Sequence, residues 1–501
     1  MGDGDINECP VCLEEPLEYG NTSRNISWIQ CSRCDQWFHV ECLKLSSVEI
    51  KNLFSYHCQK CEKVAGPSVY KRRSKRARIE IDYVALNDGD SYAVSKSEHP
   101  HVSSFLQFDV EVDRTDKHNP HVYIEERIDE EFFFATRLDK PVLLPNVDDA
   151  EVGMVLPRRR EEIDMDFITA EAGEDSAVEV MDVLTQQGVS PGWDLAKWRD
   201  YFLSDANDRD RIRNVISLEI SETEALGKSF KRPQIVRRLD LVDKVWNDSK
   251  ERPKVTKYCL MSVNGSFTDF HVDFSGTAVY YTVCSGEKVF LMYPPTDENL
   301  ALYTEWCLKP DQNYVWFPDT SKRFRGVAKK PSNGFKVNLH PGDLFMIPSG
   351  WIHAVYTPSD SIVIGGNYLT LSDLQMHLKI NDIEKQTNVP TKFRFPMFNK
   401  VLWLTSWYYF NHKDEFFSDL MGPLYNKNVK MEDKSNKKEL ESSIPYDTLK
   451  ALIDKLKAHN ELAKTNNKAR NSIPTRLIQK PVSVFFDELD QWLNEIEQEK
   501  S

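Results

Sequence analysis

The stretch Thr268-Asp269-Phe270-His271-Val272-Asp273-Phe274 sets His271 and Asp273 two positions apart in a run that reads as a β-strand. Residues two apart on a strand project from the same face, so this pair offers one edge of a metal site. Around it, between Lys257 and Leu369, short β-branched and aromatic runs recur. They are broken by turn signals at Asn264-Gly265, Ser285-Gly286, Pro341-Gly342-Asp343 and Ser349-Gly350. That texture predicts an antiparallel jelly roll or barrel. No internal repeat of solenoid period interrupts it.

A second histidine, His353, lies much later in the chain, in Pro348-Ser349-Gly350-Trp351-Ile352-His353, just past a turn at the start of another strand. Two histidines and one carboxylate form a facial triad that leaves the opposite face of Fe(II) free for an oxidant and a cosubstrate. Alone, His-x-Asp with a distant His is a common pattern on ordinary surfaces. The neighbours give it weight. Lys288 follows Ser285-Gly286-Glu287 on the adjoining strand, and Thr268 lies three residues before His271. A cation and a hydroxyl are the groups needed to fix the distal carboxylate of 2-oxoglutarate, and Tyr281 can add a phenolic hydrogen bond.

The head of the chain carries a separate chemistry. Cys9-x-x-Cys12, Cys31-x-x-Cys34, His39-x-x-Cys42 and Cys58-x-x-Cys61 supply eight ligands in four pairs, enough for two tetrahedral zinc ions. A segment this short buries little apolar surface, so the metals would supply the folding energy that its core lacks. Trp28 and Trp37 flank the second pair, and an aromatic wall of such residues can hold a methylated ammonium by cation-π attraction. The competing reading of Trp37 is that it fills a tiny core. Cys259, Cys284 and Cys307 read as buried thiols.

A chain of 501 residues holds more than one core, and 40% hydrophobic with 28% charged residues fits an ordinary folded protein. Seven of the ten cysteines fall within the first 61 residues, which favours metal binding in a reducing compartment. The start, Met-Gly-Asp-Gly-Asp, lacks the basic and apolar regions of a signal peptide, and Ile6 stands where myristoylation wants Ser or Thr. The longest apolar stretch, around Val401 to Phe410, is too short to span a bilayer, so an intracellular protein with no membrane partner is expected. The net charge of −14 suits a basic partner without specifying one. Lys71, Arg72, Arg73, Lys75, Arg76 and Arg78 form a basic run that reads as a nuclear localisation signal or a non-specific DNA contact, or else as a solvated linker. Leu374, His377, Leu378 and Ile380, at helical spacing, open a helical tail, whose lysine-rich patch from Lys427 to Lys438 reads as a solvated loop. The expected divisions are a zinc finger over 6–64, a basic linker over 65–99, a mixed helical region over 100–224, the barrel over 225–385 and a helical region over 386–501.

The head, with four Cys, one His and three Cys and Trp37 two residues before the histidine, resembles a PHD finger rather than a RING finger. That resemblance implies interleaved pairs: the first and third on one zinc, the second and fourth on the other. It also implies that Trp37 belongs to a methyl-lysine cage, with Trp28 at a common second-wall position. The later segments Asn214-Val215-Ile216-Ser217-Leu218-Glu219, Tyr258 to Val263, Asp269 to Tyr293 and Gly350 to Asn367 resemble the JmjC dioxygenases. Within them the chain looks like the PHD-JmjC histone demethylases, most of all the fungal class called JmjC histone demethylase 1. The fold so implied is a mainly β double-stranded β-helix, a cupin-like jelly roll with flanking α-helices, plus a small two-zinc PHD finger. The roles so implied are iron ligation by His271, Asp273 and His353, and cosubstrate contact by Thr268, Tyr281, Lys288 and Asn214. Asn367, in Gly365-Gly366-Asn367-Tyr368, is expected as a further pocket contact. Ser275 stands where relatives usually show glycine, and little effect is expected from so small a side chain.

The activity implied is Fe(II)- and 2-oxoglutarate-dependent removal of N-methyl groups from histone lysine. It would release formaldehyde, succinate and CO2, with ascorbate as reductant in vitro. The expected partners are the histone H3 tail and the nucleosome, in the nucleus. Mono- and dimethylated lysine-36 of histone H3 is the leading substrate, with lysine-9 and lysine-27 as alternatives that the iron site cannot separate. Hydroxylation of a non-histone protein is a second enzyme reading, and an inert chromatin reader or scaffold is a reading from another class. An altered iron ligand would have favoured the scaffold, and none is altered.

Overall fold

A computed structural model describes residues 9–12, 28–40, 42–45, 50, 53–70, 98–189, 191–246, 251–422 and 436–500. The basic run at 71–78 and most of the lysine-rich patch at 427–438 lie outside the described residues. The chain divides into two compact units, Met1–Asp90 and Ser91–Ser501.

In the first unit two short antiparallel strands, Trp28–Gln30 and Trp37–His39, pair with Trp28 opposite His39 and Gln30 opposite Trp37. Because side chains alternate, the two tryptophans share one face, and Ile29 and Phe38 the other. Its core among the described residues is Cys9, Cys31, Phe38 and Cys58, too small to hold a fold by apolar burial alone.

The second unit is organised by two long strands, Ala278–Tyr293 and Ile352–Tyr368, which run antiparallel along most of their length. Their β-branched and aromatic residues alternate as a two-sided buried strand requires. Each changes partner midway. The first half of Ala278–Tyr293 pairs with Leu344–Ile347 and its second half with Phe335–Leu339. Ile352–Tyr368 takes Phe267–His271 beside its first half and Tyr258–Ser262 beside its second. Switching partners in this way folds the sheet over an interior filled by Val279, Tyr281, Val283, Phe290, Met292, Val337, Phe345 and Val363. The result is the cupin-like barrel expected from the sequence, with helices flanking it.

The register shifts of the central pair fall between Val283 and Val289. Ser285-Gly286, read from sequence as a turn, is therefore a bulge inside a continuous strand. Gly286 has φ +69°, and a Cβ there would stand 2.1 Å from the Asp360 carbonyl oxygen, so no larger residue fits the bend. The other three turn signals are turns, with Gly265, Gly342 and Gly350 at positive φ. Strand Arg213–Glu219 joins the same sheet beside Tyr258–Ser262, as do Tyr123–Ile124 and Val142–Leu144 beyond Leu344–Ile347. After the barrel, helices Leu374–Gln386, Phe398–Asn411, Lys413–Met421, Asn436–Thr465 and Val482–Lys500 follow, the last four built on a separate apolar cluster that includes Trp403, Phe416 and Trp492. No helix among the described residues is long and apolar enough to cross a membrane. Cys259 and Cys284 are buried thiols as expected, whereas Cys307 is only partly buried.

Candidate functional site

Strand Phe267–His271 ends at His271, directly opposite His353 on its neighbour. The two imidazole centroids are 4.3 Å apart. Asp273 lies just past the strand end rather than on it, as the sequence reading had it, but its backbone stays extended, with φ −56° and ψ 148°. Its Oδ2 is 3.7 Å from Nε2 of His353. Both rings are oriented alike: Nδ1 of His271 donates to the carbonyl of Asp269 at 2.8 Å, and Nδ1 of His353 to the carbonyl of Trp351 at 3.1 Å. A proton held on Nδ1 leaves the Nε2 lone pair for a metal, the arrangement usual in ligating histidines. Burial, and then the His271 ring, push His353 down to about 4, so it is a neutral donor at neutral pH. Two nitrogens and a carboxylate of this kind suit a divalent transition metal such as Fe(II).

Asn367, expected as a further pocket contact, lies against Asp273 and Thr277. Its Nδ2 donates to Asp273 Oδ1 at 3.2 Å and to Thr277 Oγ1 at 2.9 Å, so it orients the carboxylate from behind. The turn after Asp273 is pinned from helix Leu374–Gln386. Ser275, at φ 48°, donates its backbone N–H to Glu384 and accepts from Asn381 Nδ2, and the Gly276 carbonyl accepts from His377 Nδ1 at 3.0 Å.

A buried polar row runs from this edge into the barrel. Lys288 donates to Ser262 Oγ at 2.5 Å and to Thr357 Oγ1 at 2.8 Å. Ser262 donates to Asn214 Oδ1 at 2.7 Å, and Asn214 Nδ2 reaches Thr268 Oγ1 at 3.4 Å. Lys288 is 3% exposed and has only hydroxyl partners among the described residues, and burial pushes its ammonium down to about 7. A buried cation without a carboxylate is costly unless an anion arrives, so the row asks for one. The Tyr281 ring packs against Phe290, which in turn lies 5.8 Å from the His353 ring. Thr268, Lys288, Tyr281 and Asn214 are thus brought into one barrel interior. Ser262 and Thr357 were missed from the sequence. Ser262 shares a face of its strand with Leu260, which packs against the barrel interior, whereas Cys259 and Met261 face the other way into a separate part of the core.

Behind His271, the Asp269 carboxylate meets His101 Nδ1 at 3.2 Å, and His99, His101 and Asp269 form a buried group that the sequence reading did not identify. In the head, Cys9, Cys12, His39 and Cys42 converge, as do Cys31, Cys34, Cys58 and Cys61. His39 Nδ1 is 3.4 Å from Cys12 Sγ and 3.6 Å from Cys42 Sγ, and Cys34 Sγ is 3.8 Å from Cys58 Sγ. Four soft donors around each centre fit tetrahedral zinc. The Trp28 ring lies 3.9 Å from that of His39, so it braces a ligand, while Trp37 is 38% exposed.

These features define a cupin-fold protein that carries a PHD-type zinc finger. A cupin-like domain model matches residues 192–373, a model described as JHD1, PHD-type zinc finger matches 17–65, and a Jumonji helical domain model matches 372–418. A JmjC domain-containing histone demethylation protein 1 from Debaryomyces hansenii is 57% identical, covering 98% of this chain and 99% of that protein. Proteins of the same name are 50% identical in Candida albicans, over 97% of this chain and 98% of theirs, and 38% identical in Saccharomyces cerevisiae, over 78% and 86%. The chain belongs to the family of JmjC domain-containing histone demethylation protein 1.

Proposed function

We propose that this protein is a nuclear histone lysine demethylase that uses Fe(II) and 2-oxoglutarate, with its zinc-binding head reading methylated histone H3. The observation that carries the reading is the pairing of the His271, Asp273 and His353 edge with a buried ammonium, Lys288, that lacks an anionic partner among the described residues. His271, Asp273 and His353 would hold the iron. Lys288 and Thr268 would take the distal carboxylate of the cosubstrate, with Asn214 and Ser262 keeping the row in place and Tyr281 adding a hydroxyl. The bound metal and cosubstrate supply the power to oxidise an N-methyl group with dioxygen, and the methyl leaves as formaldehyde beside succinate and CO2. The chain's own contribution is positional. Nδ1 hydrogen bonds fix both imidazoles, Asn367 fixes the carboxylate, and the apolar interior around Phe290 and Val363 excludes water from the reacting face.

Mono- and dimethylated lysine-36 of histone H3 is the proposed substrate. The family relatives, named for histone demethylation, and the PHD-type head support a histone tail and nucleosome as partner. The test is mass spectrometry of H3 peptides methylated at lysines 4, 9, 27 and 36, incubated with protein, Fe(II), 2-oxoglutarate and ascorbate beside an Asp273→Ala control. Loss of whole methyl masses from the lysine-36 peptide, dependent on Asp273, supports the proposal. Loss from lysine-9 or lysine-27 instead moves the substrate. No loss from any peptide or nucleosome, with iron bound, shifts the reading to a non-histone hydroxylase or a scaffold.

A further inference from the structure

A chain with a net charge of −14 gathers positive charge in one concave place. A cavity of about 320 Å³ lies where strand Tyr258–Ser262 begins. Its lining residue nearest the strand, Lys257, is five residues from Ser262, or about 16 Å along extended chain, and so apart from the polar row of the barrel. Lys228, Lys231, Arg232 and Arg237 line it from one chain segment, and Arg252, Lys254 and Lys257 from another. The acids lining it are Glu222 and Asp243.

The ion pairs do not balance. Arg232 is 4% exposed and pairs with Asp240 at 2.8 Å and with Asp243, and Arg252 shares that same Asp243. Lys228 pairs with Glu224 and Lys254 reaches Glu222 at 3.7 Å. Lys231, Arg237 and Lys257 make no ion pair with a carboxylate among the described residues, although Glu219 acts on Lys257 from a longer distance. Arg237 donates to the carbonyls of Arg232 and Gly153, and Lys257 to those of Gly227 and Phe230 at 2.7 Å each. The crowding has an electrostatic cost: Lys257 is pushed down to about 8 by burial, Arg232 and Arg252 against an opposing pull from Glu219, and Arg252 is lowered by burial and Arg232 although Asp240 opposes them. Cations that depress one another around an open cavity are stabilised by an anion between them.

We infer that this cavity binds a ligand bearing two or more clustered phosphates. A single carboxylate would answer one of the three cations left without an ion pair, whereas several phosphate oxygens can engage the guanidinium of Arg237, the exposed ammonium of Lys231 and the half-buried ammonium of Lys257 together. The volume sits at the small end of the range for discrete ligands, about 300 Å³ and upward. The phosphates can be carried by a free polyphosphorylated molecule or by a nucleic-acid backbone.

The test is titration calorimetry of the full chain with inorganic tripolyphosphate at low salt, with a short DNA duplex as a second arm. Lys231→Glu with Lys254→Glu changes two exposed side chains and should leave the fold intact, which thermal unfolding checks. Saturable tripolyphosphate binding is expected, weakened about tenfold or more by that double variant. It should be retained by Lys231→Arg with Lys254→Arg, and unaffected when Lys71, Arg72 and Arg73 are changed to Gln. A duplex that displaces tripolyphosphate from this site identifies nucleic-acid phosphate as its source, and a duplex that does not identifies a free polyphosphate. Absence of saturable binding, or binding that falls only with the 71–73 changes, overturns the assignment.

Discussion

The Lys288 ammonium donates to the Ser262 hydroxyl at 2.5 Å, inside the barrel and with no carboxylate among the described residues to balance it. Because burial holds its pKa at about 7, free Lys288 is neutral at alkaline pH, and a dicarboxylate binds only after the amine takes up a proton. Affinity for 2-oxoglutarate should therefore fall as pH rises above about 7 and level off below it. Calorimetry in buffers of different ionisation enthalpy should show proton uptake on binding at pH 8. Lys288→Met should remove both the uptake and most of the affinity. Binding that is flat from pH 6.5 to 9 would place the carboxylate elsewhere.

Asp273 faces His353 at 3.7 Å and is backed by Asn367 at 3.2 Å, so the proposed ligand and the residue proposed to aim it can be told apart. Asp273→Ala should abolish turnover and iron retention. Asn367→Ala should keep iron stoichiometry at saturating metal but weaken metal affinity by about 10- to 100-fold, the usual cost of losing a partner behind a ligand. Unchanged metal affinity with weakened 2-oxoglutarate binding in Asn367→Ala would mean that Asn367 touches the cosubstrate instead.

What was legible in the sequence follows from period and spacing. His271-x-Asp273 declared its shared face because side chains alternate along extended chain, and the Cys-x-x-Cys pairs declared themselves because both members of a pair reach one metal. The turn glycines were legible at Gly265, Gly342 and Gly350, but Gly286 was read as a turn when it is a bulge. Gly in strand context serves both purposes, and only the partner strand decides between them. Thr357 and the His101 to Asp269 contact were not legible, because their partners are 69 and 168 residues away and no local pattern encodes that pairing. Asn367 was found, but its hydrogen bond to Asp273 was not foreseen, since an amide beside a metal site can face the ligand or the carboxylate.

In the head, Trp28 and Trp37 share a face but should fail differently. Trp37 is 38% exposed, and Trp37→Ala should reduce binding of histone H3 peptide methylated at lysine-4 about tenfold, in keeping with a lost cation-π wall, while zinc content stays at two per chain. Trp28 lies 3.9 Å from the His39 ring, so Trp28→Ala should loosen a ligand and speed zinc loss to a chelator. Fluorescence titration and metal release assays read the two effects. Equal affinity of wild type and Trp37→Ala for marked and unmarked peptides would remove the cage assignment.

His377 gives the second unit an acid-sensitive joint that can be checked without any metal. Its ring is fully buried with both nitrogens committed: Nδ1 donates to the Gly276 carbonyl at 3.0 Å, and Nε2 accepts from the backbone N–H of Thr370 at 3.0 Å. A proton added at Nε2 would set N–H against N–H, and burial already lowers this pKa to about 4. The sign follows from linkage. Between pH 6.5 and about 4 the unfolded chain binds a proton at this residue that the folded chain refuses, so the contribution to stability is full above pH 6.5 and declines as pH falls. Asp373, raised by burial to about 6, works in the opposite direction over part of that window, since the folded chain holds its proton and the unfolded chain does not. A single variant isolates the histidine from that background. His377→Gln cannot titrate, and although it should be less stable at pH 7.5, its urea midpoint should fall less between pH 7.5 and 5 than that of the wild type. The slope difference should approach one proton, about 1.4 kcal/mol per pH unit. Parallel slopes would show that His377 is not excluded from protonation in the fold, and with that the reading of the Gly276 to Thr370 joint would fail.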